Sequence, residues 1–287
     1  MKKAGIIGAG LIGRAWAQVF TRARWEVVAW DPEAKQRDAA RALEGVRVVE
    51  TLEEAVRGVE YVQECGPEVL EVKRETFARM DAAADRETIL ASSTSALVPS
   101  KFTETLAGRA RCIVAHPVNP PHLVPVVEVC GAPWTSAETR RRTIEIQRSL
   151  GQVPIDVKKE IDGFILNRLQ VAFLTEAFRL VQEGYVSPED LDHTVADGLG
   201  LRWAFMGPFE TIELNAPGGI PDYCARYVGW FRRYMADAPS PSVWDDANWA
   251  KVVAAWGKSP TEQQIAEKSA WRDNRLAALV AHKRAQK

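Results

Sequence analysis

The sequence predicts an α/β fold: a doubly wound, mostly parallel sheet over residues 1–159, followed by an all-α domain over residues 160–287. Three observations predict it. A glycine-rich turn, Gly8-x-Gly10-x-x-Gly13, stands between a short apolar run and a helical pattern near the start of the chain. Short apolar runs then alternate with helical patterns to about residue 155, the order that builds a parallel sheet with helices on both faces. Beyond residue 160 the strand-like runs stop, and only helical patterns opened by capping residues remain.

The first unit reads as strand, turn and helix. Ala4 to Ile7 is the strand, and the helix follows Gly13 through Ala15, Trp16, Ala17, Val19 and Phe20. Gly8 permits the tight turn, Gly10 lets a pyrophosphate approach the backbone, and Gly13 lets the helix pack close to the sheet. The free N–H groups and positive end of the helix then face the anion. Trp25 to Trp30 is a second strand with Asp31 at its end, eighteen positions after Gly13. That is the layout of a Rossmann-type dinucleotide site. A carboxylate at Asp31 holds both ribose hydroxyls of the adenosine and repels a 2′-phosphate, which favours NAD over NADP. Asp31 also fits a helix N-cap, since Pro32 and Glu33 follow it.

Pro32 to Leu43 reads as a short helix, 46–50 as a strand, 51–57 as a helix ended by Gly58, and 60–64 as a strand. Leu70 to Ala84 is a helix, 88–92 a strand, and Ile113 to His116 another. A proline-rich turn follows, and a further apolar run around Val126 to Val129 carries Glu128, twelve positions after His116. If the two runs pair as a hairpin, Glu128 lies beside the imidazole, fixes its tautomer and suits it to act as a general base. The same residues also fit a satisfied histidine at a strand end and a glutamate on a solvent face. Ser136 to Leu150 is a helix ended by Gly151, and Val153 to Val157 the last strand. Ligands of such sheets bind beyond the carboxyl ends of the strands, where Gly8 to Gly13, Ser93-Thr94-Ser95 and His116 fall.

In the second part, Gly163-Phe164-Ile165-Leu166-Asn167-Arg168 opens a helix running to Glu183 and ended by Gly184. It is apolar on most faces, which implies burial in a helical core or a subunit interface. Ser187-Pro188-Glu189-Asp190 and Ser259-Pro260-Thr261-Glu262 open two more helices. Four of the ten tryptophans lie between residues 244 and 271 and read as core and interface filler, with no basic residues interleaved to suggest nucleic acid.

The charges nearly cancel, 37 basic against 38 acidic, so no polyanion or charged membrane surface is implied as a partner. Cys65, Cys112, Cys130 and Cys224 show no CxxC spacing, and no cluster suggests a metal. They read as free thiols of a cytoplasmic protein. No apolar run reaches the length of a membrane span. Lys2-Lys3, an apolar stretch and Ala15-Trp16-Ala17 imitate a secretory signal, but three glycines and Arg14 interrupt it and cleavage would remove the nucleotide turn.

Taken in order, Gly8-x-Gly10-x-x-Gly13, Ser92-Ser93-Thr94-Ser95, His116-Pro117-x-Asn119-Pro120, Glu128 and Gly163-Phe164-Ile165-Leu166-Asn167-Arg168 resemble the 3-hydroxyacyl-CoA dehydrogenase superfamily. Within it the likeness is greatest to the L-gulonate 3-dehydrogenase branch. It extends through Glu183-Gly184-Tyr185-Val186-Ser187-Pro188, Gly198-Leu199-Gly200-Leu201-Arg202-Trp203-Ala204-Phe205 and Gly207-Pro208-Phe209-Glu210-Thr211, and fades beyond about residue 235. The resemblance implies an NAD-dependent dehydrogenase with His116 as base, Glu128 orienting it, and Ser95 and Asn167 on the reacting oxygen. It implies cofactor contacts from Leu11, Ile12, Glu68, Lys73 and Asn119 besides the glycines and Asp31. The helix from Phe164 to Glu183 has too much apolar surface for one exposed face, so the region from about 160 onward is expected to form a helical domain that makes a homodimer and roofs the active site. Glu68 and Lys73 also fit a solvated helix start. Arg202, which also fits a surface arginine paired with an acid, would grip a substrate carboxylate. Only sixteen residues separate Asp31 from Val48, where acyl-CoA dehydrogenases of the superfamily carry a long helical hairpin. Both features favour a small free hydroxy acid such as L-gulonate. L-carnitine and a 3-hydroxyacyl-CoA remain alternatives, and a non-catalytic NAD-binding structural protein is the reading from another class.

Overall fold

The computed structural model describes residues 2–286. The chain divides into two compact units, Met1–Arg168 and Leu169–Lys287. The first is an α/β unit. Its elements in order are β1 (Lys3–Ile7), α1 (Leu11–Arg22), β2 (Glu26–Trp30), α2 (Ala34–Arg41), β3 (Val46–Val48), α3 (Leu52–Val56), β4 (Tyr61–Glu64) and α4 (Leu70–Ala83). There follow β5 (Ile89–Ser92), α5 (Ser100–Thr103), β6 (Cys112–Pro117), β7 (Val126–Gly131), α6 (Ala137–Ser149) and β8 (Val153–Val157).

The eight strands form one sheet in the order β3-β2-β1-β4-β5-β6-β7-β8. Every neighbouring pair is parallel except β6 and β7, which run antiparallel as a hairpin. Alternation along the strands supplies two apolar faces. Ala4 and Ile6 of β1 join Trp16, Phe20, Ile113 and Val127 on one face, while Ile7 joins Val28, Leu90, Phe77 and Phe102 on the other. The order reverses direction between β1 and β4, so the carboxyl ends of β1, β2, β4 and β5 border one crevice.

The second unit is helical. It contains most of α7 (Leu166–Gln182), then α8 (Pro188–His193), α9 (Gly200–Trp203), α10 (Pro208–Glu213), α11 (Gly219–Ala236), α12 (Asp246–Trp256) and α13 (Glu262–Ala285). A π-helical turn, Thr194–Leu199, joins α8 to α9. Two sequence expectations need correction. The long helix starts at Leu166 and not at Gly163, because Gly163 and Phe164 take positive φ values of 75° and 48°, which no right-handed helix accommodates. Of the four tryptophans expected to fill a core or an interface, none is fully buried within the chain: Trp256 is half-buried, Trp244 packs on Phe178 yet is exposed, and Trp249 and Trp271 are exposed. On α7 only Ala177 is fully buried; Leu174, Phe178 and Val181 beside it are half-buried, whereas Leu169, Val171 and Phe173 are exposed, so the helix is only partly covered within the chain. Among the described residues no helix is long and apolar enough to cross a membrane.

Candidate active site

The turn between β1 and α1 has the geometry a dinucleotide requires. Gly8 has a φ of 95°, and a Cβ there would stand 2.8 Å from the backbone of Cys65. A Cβ on Gly13 would stand 1.8 Å from the Gly8 carbonyl oxygen. Both glycines are therefore demanded by packing. Gly10 differs, since a Cβ there would meet nothing within 4 Å. It leaves open space in front of the first turn of α1, whose N–H groups have no side-chain cap and no acidic residue among them. An uncompensated helix N-terminus facing open space fits a pyrophosphate. Leu11 is exposed at that corner and Ile12 is partly buried beside it.

Asp31, buried at the end of β2, ties this turn to the next strand. Its Oδ2 accepts the Ala9 N–H at 2.7 Å and its Oδ1 accepts the Glu33 N–H at 2.8 Å. The second bond supplies the local turn that the N-cap reading anticipated, although the cap position of α2 is Glu33. A carboxylate offers about four lone-pair positions, so two bonds leave each oxygen able to accept a ribose hydroxyl.

The carboxyl ends of β4 and β5 carry a buried polar group. Lys73, 1% exposed, donates from Nζ to Glu64 Oε1 at 2.9 Å, to Glu64 Oε2 at 3.0 Å and to the Gly66 carbonyl at 3.1 Å. Glu64 also accepts the Gly66 N–H at 2.6 Å and the Ser92 hydroxyl at 2.6 Å. Lys73 is thus neither solvated nor provided with a spare donor. Glu68 accepts from the Thr94 hydroxyl and from the N–H groups of Ser95 at 3.1 Å, Ala96 at 3.4 Å and Leu97 at 3.3 Å. Burial works to raise its carboxyl, but the bonds from Thr94, Ser95 and Ala96 and the charge of Lys73 outweigh that and hold it below the usual range. Glu68 fastens the turn that bears Ser95.

His116 and Glu128 are register partners across the β6–β7 hairpin. His116 is buried, and its Nδ1 lies 2.8 Å from Glu128 Oε2. The other carboxylate oxygen accepts the N–H groups of Ile165 and Leu166 at 2.8 and 2.9 Å. Glu128 therefore caps the start of α7 from another element. Burial pushes its carboxyl upward, yet the bond from His116 and those from Leu166 and Ile165 prevail, and it lies below the ordinary value. At the next residue, Asn167 Nδ2 donates to the Ser95 carbonyl at 2.9 Å. The chain thus brings His116, Glu128, Asn167 and Ser95 to one place. Asn119 is exposed in the loop between β6 and β7. Arg202 belongs to the second unit, exposed on α9.

Sequence reasoning missed two features. The Phe164 ring, fully buried, packs against the His116 ring with centroids 5.6 Å apart. The Glu64–Lys73 pair was also missed, although a signal existed: Gln63 and Glu64 are consecutive polar residues in a strand buried on both faces.

Comparison with known proteins agrees with this geometry. The family model for the 3-hydroxyacyl-CoA dehydrogenase NAD binding domain matches residues 3–43 and 33–161, and that for the C-terminal domain of the same enzymes matches 163–262. The chain belongs to the 3-hydroxyacyl-CoA dehydrogenase family. It is 42% identical to lambda-crystallin of Oryctolagus cuniculus over 97% of this chain and 95% of that protein. It is 34% identical to L-carnitine dehydrogenase of Pseudomonas aeruginosa over 98% of this chain and 93% of the relative. Among solved structures, an NAD⁺-dependent dismutase, 5-formyl-3-hydroxy-2-methylpyridine 4-carboxylic acid 5-dehydrogenase, superposes with a TM-score of 0.85 at 27% identity, covering 97% of each chain. The protein is an NAD-dependent dehydrogenase acting on a CH–OH group.

Proposed function

We propose that this dehydrogenase oxidises the 3-hydroxyl of a small free hydroxy acid, L-gulonate to 3-dehydro-L-gulonate, with His116 as general base. The observation that carries the mechanism is the 2.8 Å contact between His116 Nδ1 and the Glu128 carboxylate. A carboxylate there accepts a hydrogen bond from Nδ1–H, fixing the tautomer, and leaves the Nε2 lone pair to accept the hydroxyl proton. Bound NAD accepts the hydride leaving the same carbon. Ser95 and Asn167 hydrogen-bond the reacting oxygen, which is polar as alcohol and as ketone. Glu68 and Asn119 serve the nicotinamide side, Leu11 and Ile12 the pyrophosphate. Lys73 supports that side from beneath by holding Glu64 and Gly66.

Two features favour a free acid. The β2–β3 connection contains only the eight-residue α2, leaving no long hairpin of the kind that acyl-CoA enzymes of the superfamily insert there. Arg202, in a glycine-bounded segment, is a cation suited to a carboxylate. The solved relative acts on a carboxylic acid, by its name. L-carnitine is the second reading, since its dehydrogenase matches nearly the whole chain. A purely structural role gives no reason for a buried base with its orienting acid.

The test is NADH formation with L-gulonate, L-carnitine, 3-hydroxybutyrate and 3-hydroxybutyryl-CoA, by the wild type and by Arg202→Leu. Loss of a charged hydrogen bond, about 1.5–3 kcal/mol, should raise KM for the free acid by roughly 10- to 100-fold. Turnover of the CoA ester alone, or an unchanged KM for acids in the variant, would replace the gulonate reading with the thioester.

A further inference from the structure

In the run Ser92-Ser93-Thr94-Ser95 only Ser95 is exposed. The Ser92 hydroxyl donates to Glu64 at 2.6 Å and that of Thr94 to Glu68. Ser93 is committed in another way. Its Oγ accepts from Gln63 Nε2 at 2.7 Å and from Trp16 Nε1 at 3.1 Å. A serine oxygen has two lone pairs, so both are taken, and its proton points to the third neighbour, Cys65 Sγ at 3.3 Å. Burial pushes the Cys65 thiol up to about 12, so it stays protonated and donates to the Gln63 carbonyl at 3.8 Å. Nothing of the Ser93 hydroxyl is left for substrate or coenzyme. Gln63, wholly buried in β4, is fixed in its turn. Its Nε2 also donates to the Ala115 carbonyl at 3.1 Å, a group that only accepts, so the amide has one orientation. Its Oε1 then accepts the Tyr61 hydroxyl, whose oxygen accepts Gln147 Nε2, each at 3.1 Å. A buried amide is costly unless it is bonded, and this one is bonded at both ends.

We propose that Ser93 is a positioning residue: pinned by Gln63 of β4 and Trp16 of α1, it sets where Ser95 stands and so how well the reacting oxygen is held. The turn has two supports. Exposed Glu68 holds its outer side through the Ser95 N–H, and Ser93 anchors its inner side in the core. Trp16 is itself fully buried, so the inner support is the rigid one. Without it the backbone bond from the Ser93 N–H to the Glu64 carbonyl at 2.7 Å remains, which keeps the strand paired but leaves the two residues beyond it looser. A shift of a fraction of an ångström at a reacting atom costs rate far more than it costs stability. The proposal rests on the reading that Ser95 bonds the reacting oxygen, and on no particular hydroxy acid.

The test is a double-variant cycle on the full chain: wild type, Ser93→Ala, Ser95→Ala and Ser93→Ala/Ser95→Ala. NADH formation is followed with L-gulonate, or with whichever of L-carnitine, 3-hydroxybutyrate and 3-hydroxybutyryl-CoA is oxidised fastest. Ser95→Ala should lower kcat/KM by about 30-fold. Ser93→Ala should lower it by about 10-fold, with NADH affinity within about 3-fold of the wild type. Because Ser93 acts through Ser95, the double variant should lie no more than about 3-fold below Ser95→Ala; independent effects would multiply to about 300-fold. Ser93→Thr keeps the hydroxyl and should come within about 3-fold of the wild type. If Ser93→Ala folds poorly, Trp16→Phe takes its place in the cycle, since it deletes one donor and keeps a ring; alone it should cost about 5-fold. Effects that multiply, or normal kcat/KM in the Ser93 or Trp16 variant beside an impaired Ser95→Ala, overturn the proposal alone. An unimpaired Ser95→Ala instead strikes down the reading of Ser95, and the proposal with it.

Discussion

The two oxygens of Glu128 face different tasks, one on the His116 ring and one on the amides that open α7. His116→Ala removes the proton acceptor but nothing that touches the dinucleotide turn. Turnover should fall by about 10²-fold or more while NADH affinity, read by fluorescence, stays near that of the wild type. Near-normal turnover would remove His116 from the mechanism. Glu128 adds a pH dependence to stability. Burial acts to raise its carboxyl, the bonds from His116, Leu166 and Ile165 outweigh this, and in the folded protein it lies below its ordinary value of 4.5. The unfolded chain then binds the proton more readily. Its contribution is full above the ordinary value and is lost as the pH falls through the depressed one. Melting temperature should drop below about pH 4.5, and less steeply in Glu128→Gln; equal slopes would exclude this source.

At the scale of elements, α7 owes its start to two left-handed residues and an acid on another strand. Gly163 has a φ of 75° and room for a Cβ, so Gly163→Ala tests conformation alone. It should cost about 1–2 kcal/mol in urea denaturation and lower turnover, since Asn167 and the amides held by Glu128 follow directly; an unchanged midpoint and rate would refute the link. The strands were readable to within a residue or two because each is an apolar run bounded by glycine or a helix cap. The His116–Glu128 pairing was readable because a hairpin brings together residues equidistant from its turn. The start of α7 was not, since its cap comes from a residue 38 positions away. Nor was the Glu64–Lys73 pair, because a lysine early in a helix ordinarily faces water.

In the whole molecule, apolar burial is uneven. Both core clusters lie in the first unit, whereas the buried apolar residues of the second are Ala177, Ala216 and Val243 among those described. Large side chains of that unit are exposed instead, among them Leu169, Val171, Phe173, Trp230, Phe231 and Trp271. Apolar surface of this extent on helices is the kind an interface buries, and we propose that a second copy of this chain covers it. Light scattering on a sizing column should give about twice 31.9 kDa. A monomer at micromolar concentration would defeat the assignment.

The hairpin has a consequence for the order in which the molecule assembles. The His116–Glu128 contact closes a loop of 12 positions, that from Glu128 to Leu166 one of 38, and that from Ser95 to Asn167 one of 72. Loop-closure entropy makes the second costlier than the first by about 1 kcal/mol and the third by about 1.6 kcal/mol. The base and its acid therefore meet early on the folding route, and the nascent helix docks afterwards onto a carboxylate already in place. In pulse-labelled hydrogen exchange during refolding, amides of 113–116 and 127–130 should gain protection before those of Ile165 and Leu166, and simultaneous protection would contradict that sequence of events.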